Sequence, residues 1–179
     1  PDVRVDLVLD DDPVDLVAEG FDLTLRIAPE LGDSPLSRRR IGPIAHVVCA
    51  APAYLDAAGA PRHPDELSSH SMLVYGRGAM HKDYRFGDIE VRVVPALRVN
   101  NSLAIREALL RGLGIAIIPR FVVREALTAG ALVPLLGTYP APVHQLFALF
   151  PAGRSLPAKT RRFVDTMISD RDALTDEIG

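Results

Sequence analysis

Hydrophobic positions along the chain repeat with two different periods, and the changeovers between them divide it into elements. Val3, Val5, Leu7 and Leu9 alternate with Asp2, Arg4 and Asp6, the period of a strand with one buried face. Asp10-Asp11-Asp12-Pro13 then reads as a turn into a helix, with Asp12 as N-cap and Pro13 at the first helical position. Val14, Leu16, Val17 and Phe21 supply its apolar stripe, and Gly20 is placed to stop it. Alternation resumes through Leu23, Leu25 and Ile27, predicting a strand over 22–28. Strand, helix, strand predicts a βαβ unit with its two strands parallel.

Residues 29–43, punctuated by Pro29, Gly32, Pro35, Gly42 and Pro43, read as loop-rich. A strand is expected over 44–50, a short helix from Ala51 closed by Gly59, and a helical turn over 64–67. Between Met72 and Val99 the apolar runs shorten and are separated by Gly76, Gly87-Asp88 and Pro95. Gly87-Asp88 fits a tight hairpin turn. Asn100-Asn101-Ser102 caps a helix that Gly112 ends. A fully apolar strand follows over 114–118, and Pro119 opens a helix through Thr128. Strands over 130–136 and 143–150, a helix over 157–169 and a polar, frayed tail from Asp170 complete the prediction. The pattern is α/β throughout. An economical arrangement has the chain leave a first lobe near residue 45, build a second, and return near 143, with two crossing strands as a hinge.

Composition changes this picture little. The 179 residues are 48% hydrophobic with a formal net charge of -3, which argues against a chain that grips nucleic acid by itself. Arg38-Arg39-Arg40 reads as a solvated strand or loop rather than a phosphate site. The single cysteine, Cys49, excludes an internal disulfide, fits a reducing compartment and reads as a small buried hydrophobe. No apolar run reaches the roughly 20 residues that span a bilayer. The start Pro-Asp-Val-Arg-Val carries neither an initiator Met nor a signal peptide. A cytoplasmic location is expected, unless a signal has been removed, as is a piece of a longer protein.

Catalytic and metal signatures are missing from the sequence. It contains no Gly-x-Ser-x-Gly, no His-Glu-x-x-His and no phosphate-cradling Gly-x-x-x-x-Gly-Lys. His63, Asp65, Glu66 and His70 match no zinc spacing and read as a surface loop. Gly76-Arg77-Gly78 and Gly112-Leu113-Gly114 read as turns or helix stops. No cofactor is expected. His46 and His144, on the two proposed crossing strands, read as structural. What remains is polar residues at strand ends. Arg26 lies late in its strand, and Asn100-Asn101-Ser102 stands where a strand gives way to a helix. In open α/β sheets ligands settle at that end. A helix N-terminus bearing amide and hydroxyl groups suits a carboxylate or other anion, and Arg26 could add a bidentate clamp. Helix capping alone accounts for Asn100-Asn101-Ser102 equally well.

Several blocks resemble one family. Val14 to Ile27 (Val-Asp-Leu-Val-Ala-Glu-Gly-Phe-Asp-Leu-Thr-Leu-Arg-Ile), Cys49 to Leu55, His63-Pro64-Asp65-Glu66-Leu67, and Asn100 to Pro119 with Gly112-Leu113-Gly114-Ile115-Ala116 are similar to the LysR-type bacterial transcriptional regulators, in family order. The resemblance implies the effector-binding domain: two Rossmann-like lobes joined by two crossover strands, of the type II periplasmic-binding-protein-like fold. Lobe I would comprise 1–44 plus 144–179, short of its first strand and helix, and lobe II 45–143. A small-molecule effector, an organic anion among the candidates, would bind in a cleft lined by Arg26, Ile27, Asn100, Asn101, Ser102 and Pro119, with Asp11 and Asp12 at its rim. A homodimer or tetramer is implied, with DNA contacted only through an N-terminal helix-turn-helix that this sequence lacks. Two rival expectations are a solute-binding protein of the same architecture and, less favoured, an enzyme on this fold.

Overall fold

The computed structural model describes residues 4–10, 15–32, 35–152 and 156–170. The chain divides into two compact units, 1–44 with 144–179 and 45–143. One long strand, β2 (Leu36–Ala50), runs from the first unit into the second.

Unit 1 is built on β1 (Thr24–Ala28), the first part of β2, and β9 (Val143–Pro151), in the order β1-β9-β2. β1 and β9 are antiparallel, with Thr24 opposite Leu149, Arg26 opposite Phe147 and Ile27 opposite Leu146. Helix α4 (Ala158–Ser169) covers one sheet face through Val164, packed with Ile41, Ile44, Leu146 and Ala148. Arg39 reaches Asp165 of α4 at 2.6 Å, and Lys159 reaches Asp22 at 2.9 Å.

The N-terminal βαβ prediction is corrected. Residues 4–10 form no strand, and Val5, Leu7 and Leu9 stand 63%, 72% and 87% exposed. Alternation says which face a strand could bury. It does not by itself bring the backbone to a partner strand, and the segment forms none. Of the following helix, the described residues show one turn at 15–20. There the Glu19 amide donates to the Asp15 carbonyl at 3.0 Å, and Asp15 Oδ1 caps the Val17 and Ala18 amides. Gly20, at φ 75°, does stop it. The expected N-cap and rim residues Asp11, Asp12 and Pro13, and the tail beyond Asp170, lie outside the described residues. The loop prediction for 29–43 is also corrected: β2 begins at Leu36 and carries the three arginines as its exposed end, despite Gly42 and Pro43. Pairing in a sheet outweighs the local breaking tendency of those two residues.

Unit 2 follows the sequence closely. Its sheet runs β8 (Val133–Leu135), the end of β2, β7 (Ile115–Pro119), β3 (Met72–Tyr75), β6 (Pro95–Val99). β3 is parallel to both β6 and β7, whereas β2 is antiparallel to β7 and β8. Both sheet faces are covered, so the strands are nearly continuous apolar runs. Val47, Cys49, Leu73, Ala116 and Ile118 pack on one face with α2 (Ser102–Leu110) and α3 (Arg120–Thr128). Val48, Ala50, Met72, Val74, Ile115 and Ile117 pack on the other. That second layer is the hairpin β4 (Lys82–Phe86) and β5 (Ile89–Val93), the 3₁₀ turn Pro64–Ser69 and helix α1 (Pro52–Ala58). Gly87-Asp88 is the hairpin turn predicted.

The two glycines of Gly112-Leu113-Gly114 serve different ends. Gly112, at φ 69°, closes the end of α2 in the left-handed region. Gly114 sits where a Cβ would lie 2.1 Å from the Ser71 carbonyl oxygen. That oxygen accepts the Ile115 amide at 2.9 Å, tying the start of β7 to the strand beside it.

Candidate functional site

The parallel strands β3, β6 and β7 put their carboxyl ends at one edge of unit 2. Tyr75, Val99 and Pro119 end those strands. The register of β2 against β7 sets His46 opposite Pro119, at the same edge. Chain reversal after Val99 leads directly into α2, so Asn100, Asn101 and Ser102 stand there too. This edge therefore gathers four of the expected site residues: Asn100, Asn101, Ser102 and Pro119.

Their roles differ. Asn101 is the N-cap, its Oδ1 accepting from the Leu103 amide at 2.9 Å and the Ala104 amide at 3.1 Å. The Ile105 amide is taken by the Asn101 carbonyl at 3.2 Å. So capping is real, and it leaves the Ser102 amide and hydroxyl as the donors that α2 still offers at its start. Pro119 carries no side-chain cap for α3 and instead ends β7. Exposed Tyr75, Leu103 and Phe121 give the neighbourhood apolar surface.

Beside this edge, Gly76–His81 leaves β3 as a loop, with Gly76-Arg77-Gly78 as the turn expected from sequence. Arg98 Nη2 donates to the Ala79 carbonyl at 2.7 Å and the Gly76 amide donates to Val99 at 2.9 Å. Arg98 lies two residues before Asn100, so β6 anchors both the loop and the start of α2.

In unit 1 the structure separates Arg26 from Ile27. The register puts Arg26 on the sheet face away from α4 and Ile27 on the α4 face, where it remains exposed. Adjacent strand residues cannot present side chains to one spot from mid-strand.

No group of three or more His, Cys, Asp or Glu side chains able to hold a metal ion occurs among the described residues. His63 Nδ1 accepts the Asp65 amide and caps the 3₁₀ turn, Glu66 accepts the Arg62 amide, and His70 Nδ1 is 3.0 Å from the Tyr54 hydroxyl. That hydroxyl also accepts the Ser71 amide at 3.1 Å. Cys49 is fully buried, and burial pushes its thiol up to about 12, which suppresses the reactive thiolate. Asp83 is held below the ordinary carboxylate range by its hydrogen bond to Arg92 across the exposed hairpin.

The family model of the LysR substrate-binding domain matches residues 1–171. The chain belongs to that family. The LysR domain is 35% identical over 170 residues to the uncharacterized HTH-type transcriptional regulator YhjC of Escherichia coli K12, covering 92% of this chain and 56% of the relative. It is 33% identical over 174 residues to the HTH-type transcriptional activator AaeR of the same organism, covering 93% and 55%. The LysR-type regulator CrgA of Neisseria meningitidis superposes with a TM-score of 0.80 at 26% identity, over 93% of this chain and 58% of that one. The Vibrio cholerae virulence activator AphB does so at 0.75 and 27%, over 94% and 58%. The α/β, periplasmic-binding-protein-like type II fold expected from sequence is thus the fold of this family, and these relatives are transcriptional regulators rather than enzymes. The LysR domain spans a little over half the length of the relatives it matches. No helix among the described residues is long and apolar enough to cross a membrane.

Proposed function

We propose that this chain is the effector-sensing part of a cytoplasmic LysR-type regulator. A small organic anion binds at the edge of unit 2 where α2 begins, and its binding shifts a conformational equilibrium that alters transcription by the intact protein. The observation that carries the reading is the meeting of three parallel strand ends with the α2 N-terminus. There the Ser102 amide and hydroxyl lie beside a helix start that favours negative charge. Asn100, Asn101 and Pro119 shape the site. In the intact regulator we assign DNA contact to a separate helix-turn-helix domain, in keeping with the HTH-type names of its relatives, and assembly to a homodimer or tetramer. A transport-type solute-binding role has no comparable support.

The reading is tested by screening small organic acids for thermal stabilisation, then mapping amide shifts with any that stabilise. The Ser102 and Leu103 amides should move saturably, and Ser102→Ala should weaken binding about tenfold, the value of one charge-assisted hydrogen bond. Ligands that stabilise the protein while leaving those amides unmoved would overturn it.

A further inference from the structure

Unit 1 contains a cavity of about 730 Å³, within the size range of small-molecule sites. Its floor is the sheet face turned away from α4, contributed by Thr24 and Arg26 of β1, Leu149 of β9 and Arg38 of β2. Leu16, from the helical turn at 15–20, supplies an apolar wall. Strand alternation accounts for the composition. Arg39 turns to α4 and pairs with Asp165, so its neighbour Arg38 faces the other way, into the cavity. β1 and β2 flank β9, so Arg26 and Arg38 enter the cavity from the two strands on either side of the one that contributes Leu149.

Among the described residues the charges do not balance within the cavity. Asp15 is the carboxylate in its lining, and its Oδ1 is committed to the Val17 and Ala18 amides. Arg38 gives one Nη to the Leu31 carbonyl at 3.2 Å, and no carboxylate among the described residues forms an ion pair with Arg26. Two cations facing one partly enclosed space repel unless an anion lies between them. Guanidinium forks match a planar carboxylate in a bidentate way, and the leucines offer cover to an apolar remainder.

We propose that this cavity is a second ligand site, confined to unit 1, for a small carboxylate with an apolar body held between Arg26 and Arg38. It uses none of the α2 residues, so it stands or falls independently of the effector site argued above.

The test titrates the 179-residue chain with 3-phenylpropanoate, followed by calorimetry and amide shifts. Thr24, Arg26 and Leu149 amides should move saturably. Arg26→Ala and Arg38→Ala should each weaken binding about tenfold or more, and Arg26→Lys by less because it keeps the charge. Arg39→Ala, on the opposite face, should leave the saturation of the Thr24, Arg26 and Leu149 shifts unchanged. The neutral 3-phenylpropan-1-ol and inorganic phosphate, each lacking one half of the recognised chemistry, should both bind more weakly. No saturable binding at millimolar ligand, binding indifferent to both Arg26 and Arg38, or phosphate binding as tightly as phenylpropanoate overturns the proposal. Should Arg26→Ala not fold, Arg38→Ala and the amide map of the unaltered chain decide the matter by themselves.

Discussion

Substituting Gly114 by alanine isolates a contact that no surface property reveals. A Cβ there would lie 2.1 Å from the Ser71 carbonyl oxygen, and 3.0 Å from the carbon bearing it. Carbon and carbonyl oxygen in close contact stay about 3.3 Å or more apart, so one side must retreat by about 1.2 Å. The obstacle is backbone, not a side-chain tip that can swing aside. The same oxygen accepts the Ile115 amide, so the retreat also breaks the hydrogen bond of a fully buried residue at the start of β7. Overpacking costs about 1–3 kcal/mol and an orphaned buried donor a similar amount. The entropy that alanine removes from the unfolded chain returns about 0.4–1 kcal/mol. The expected net loss is therefore roughly 2–5 kcal/mol. Gly112→Ala is the comparison. It meets nothing closer than 3.6 Å and suffers only the left-handed backbone penalty, about 1–2 kcal/mol. Urea denaturation followed by circular dichroism should rank the parent above Gly112→Ala and Gly114→Ala last, and hydrogen exchange should show the Ile115 amide exposed in the last alone. Equal stability of the two variants, or undiminished Ile115 protection in Gly114→Ala, would refute the reasoning.

Two further outcomes follow from the site and the core. Asn101→Ala removes the acceptor of two helix amides and should cost about 1 kcal/mol in a denaturation midpoint, with Asn101→Asp keeping most of the stability. Stability should also decline in alkali. Burial raises Cys49 from 9.0 and Tyr84 from 10.0, each to about 12, so the folded state keeps protons that the unfolded chain releases. Their contribution is complete below about pH 9 and is lost as pH rises toward 12. Denaturation midpoints measured across that range should fall, and Cys49→Ala should delay the onset toward pH 10; an onset that the substitution leaves unmoved would contradict this account.

The second unit was largely legible because its strands are buried on both faces and its turns carry their own chemistry. Met72 to Tyr75 is a short apolar run bounded by Gly76, and Gly87-Asp88 can hardly be anything but a hairpin turn. The helix start at Asn101 announces itself by residue type. The first unit was harder. Val5, Leu7 and Leu9 alternate as a strand does, yet strand formation depends on a neighbour the pattern does not contain. Gly42 and Pro43 read as breakers, yet the sheet carries β2 through them. The site shows the same division. Asn100 to Ser102 was visible as a cap, whereas Arg38 looked like one of three equivalent surface arginines. Only the pairing of Arg39 with α4 shows which way its neighbour must turn. The clamp of Arg98 on the loop after β3 joins residues 19 apart and leaves no local trace.

Asn101 sets a limit on what its helix can hold. A ligand oxygen arriving at α2 finds the Leu103 and Ala104 amides already satisfied by the protein's own carboxamide. Taking them exchanges one set of hydrogen bonds for another, with little net gain. An anion bound there as proposed would gain little from those two amides, so its occupancy would follow its concentration, as in a gauge of a metabolite pool rather than a trap that stays filled.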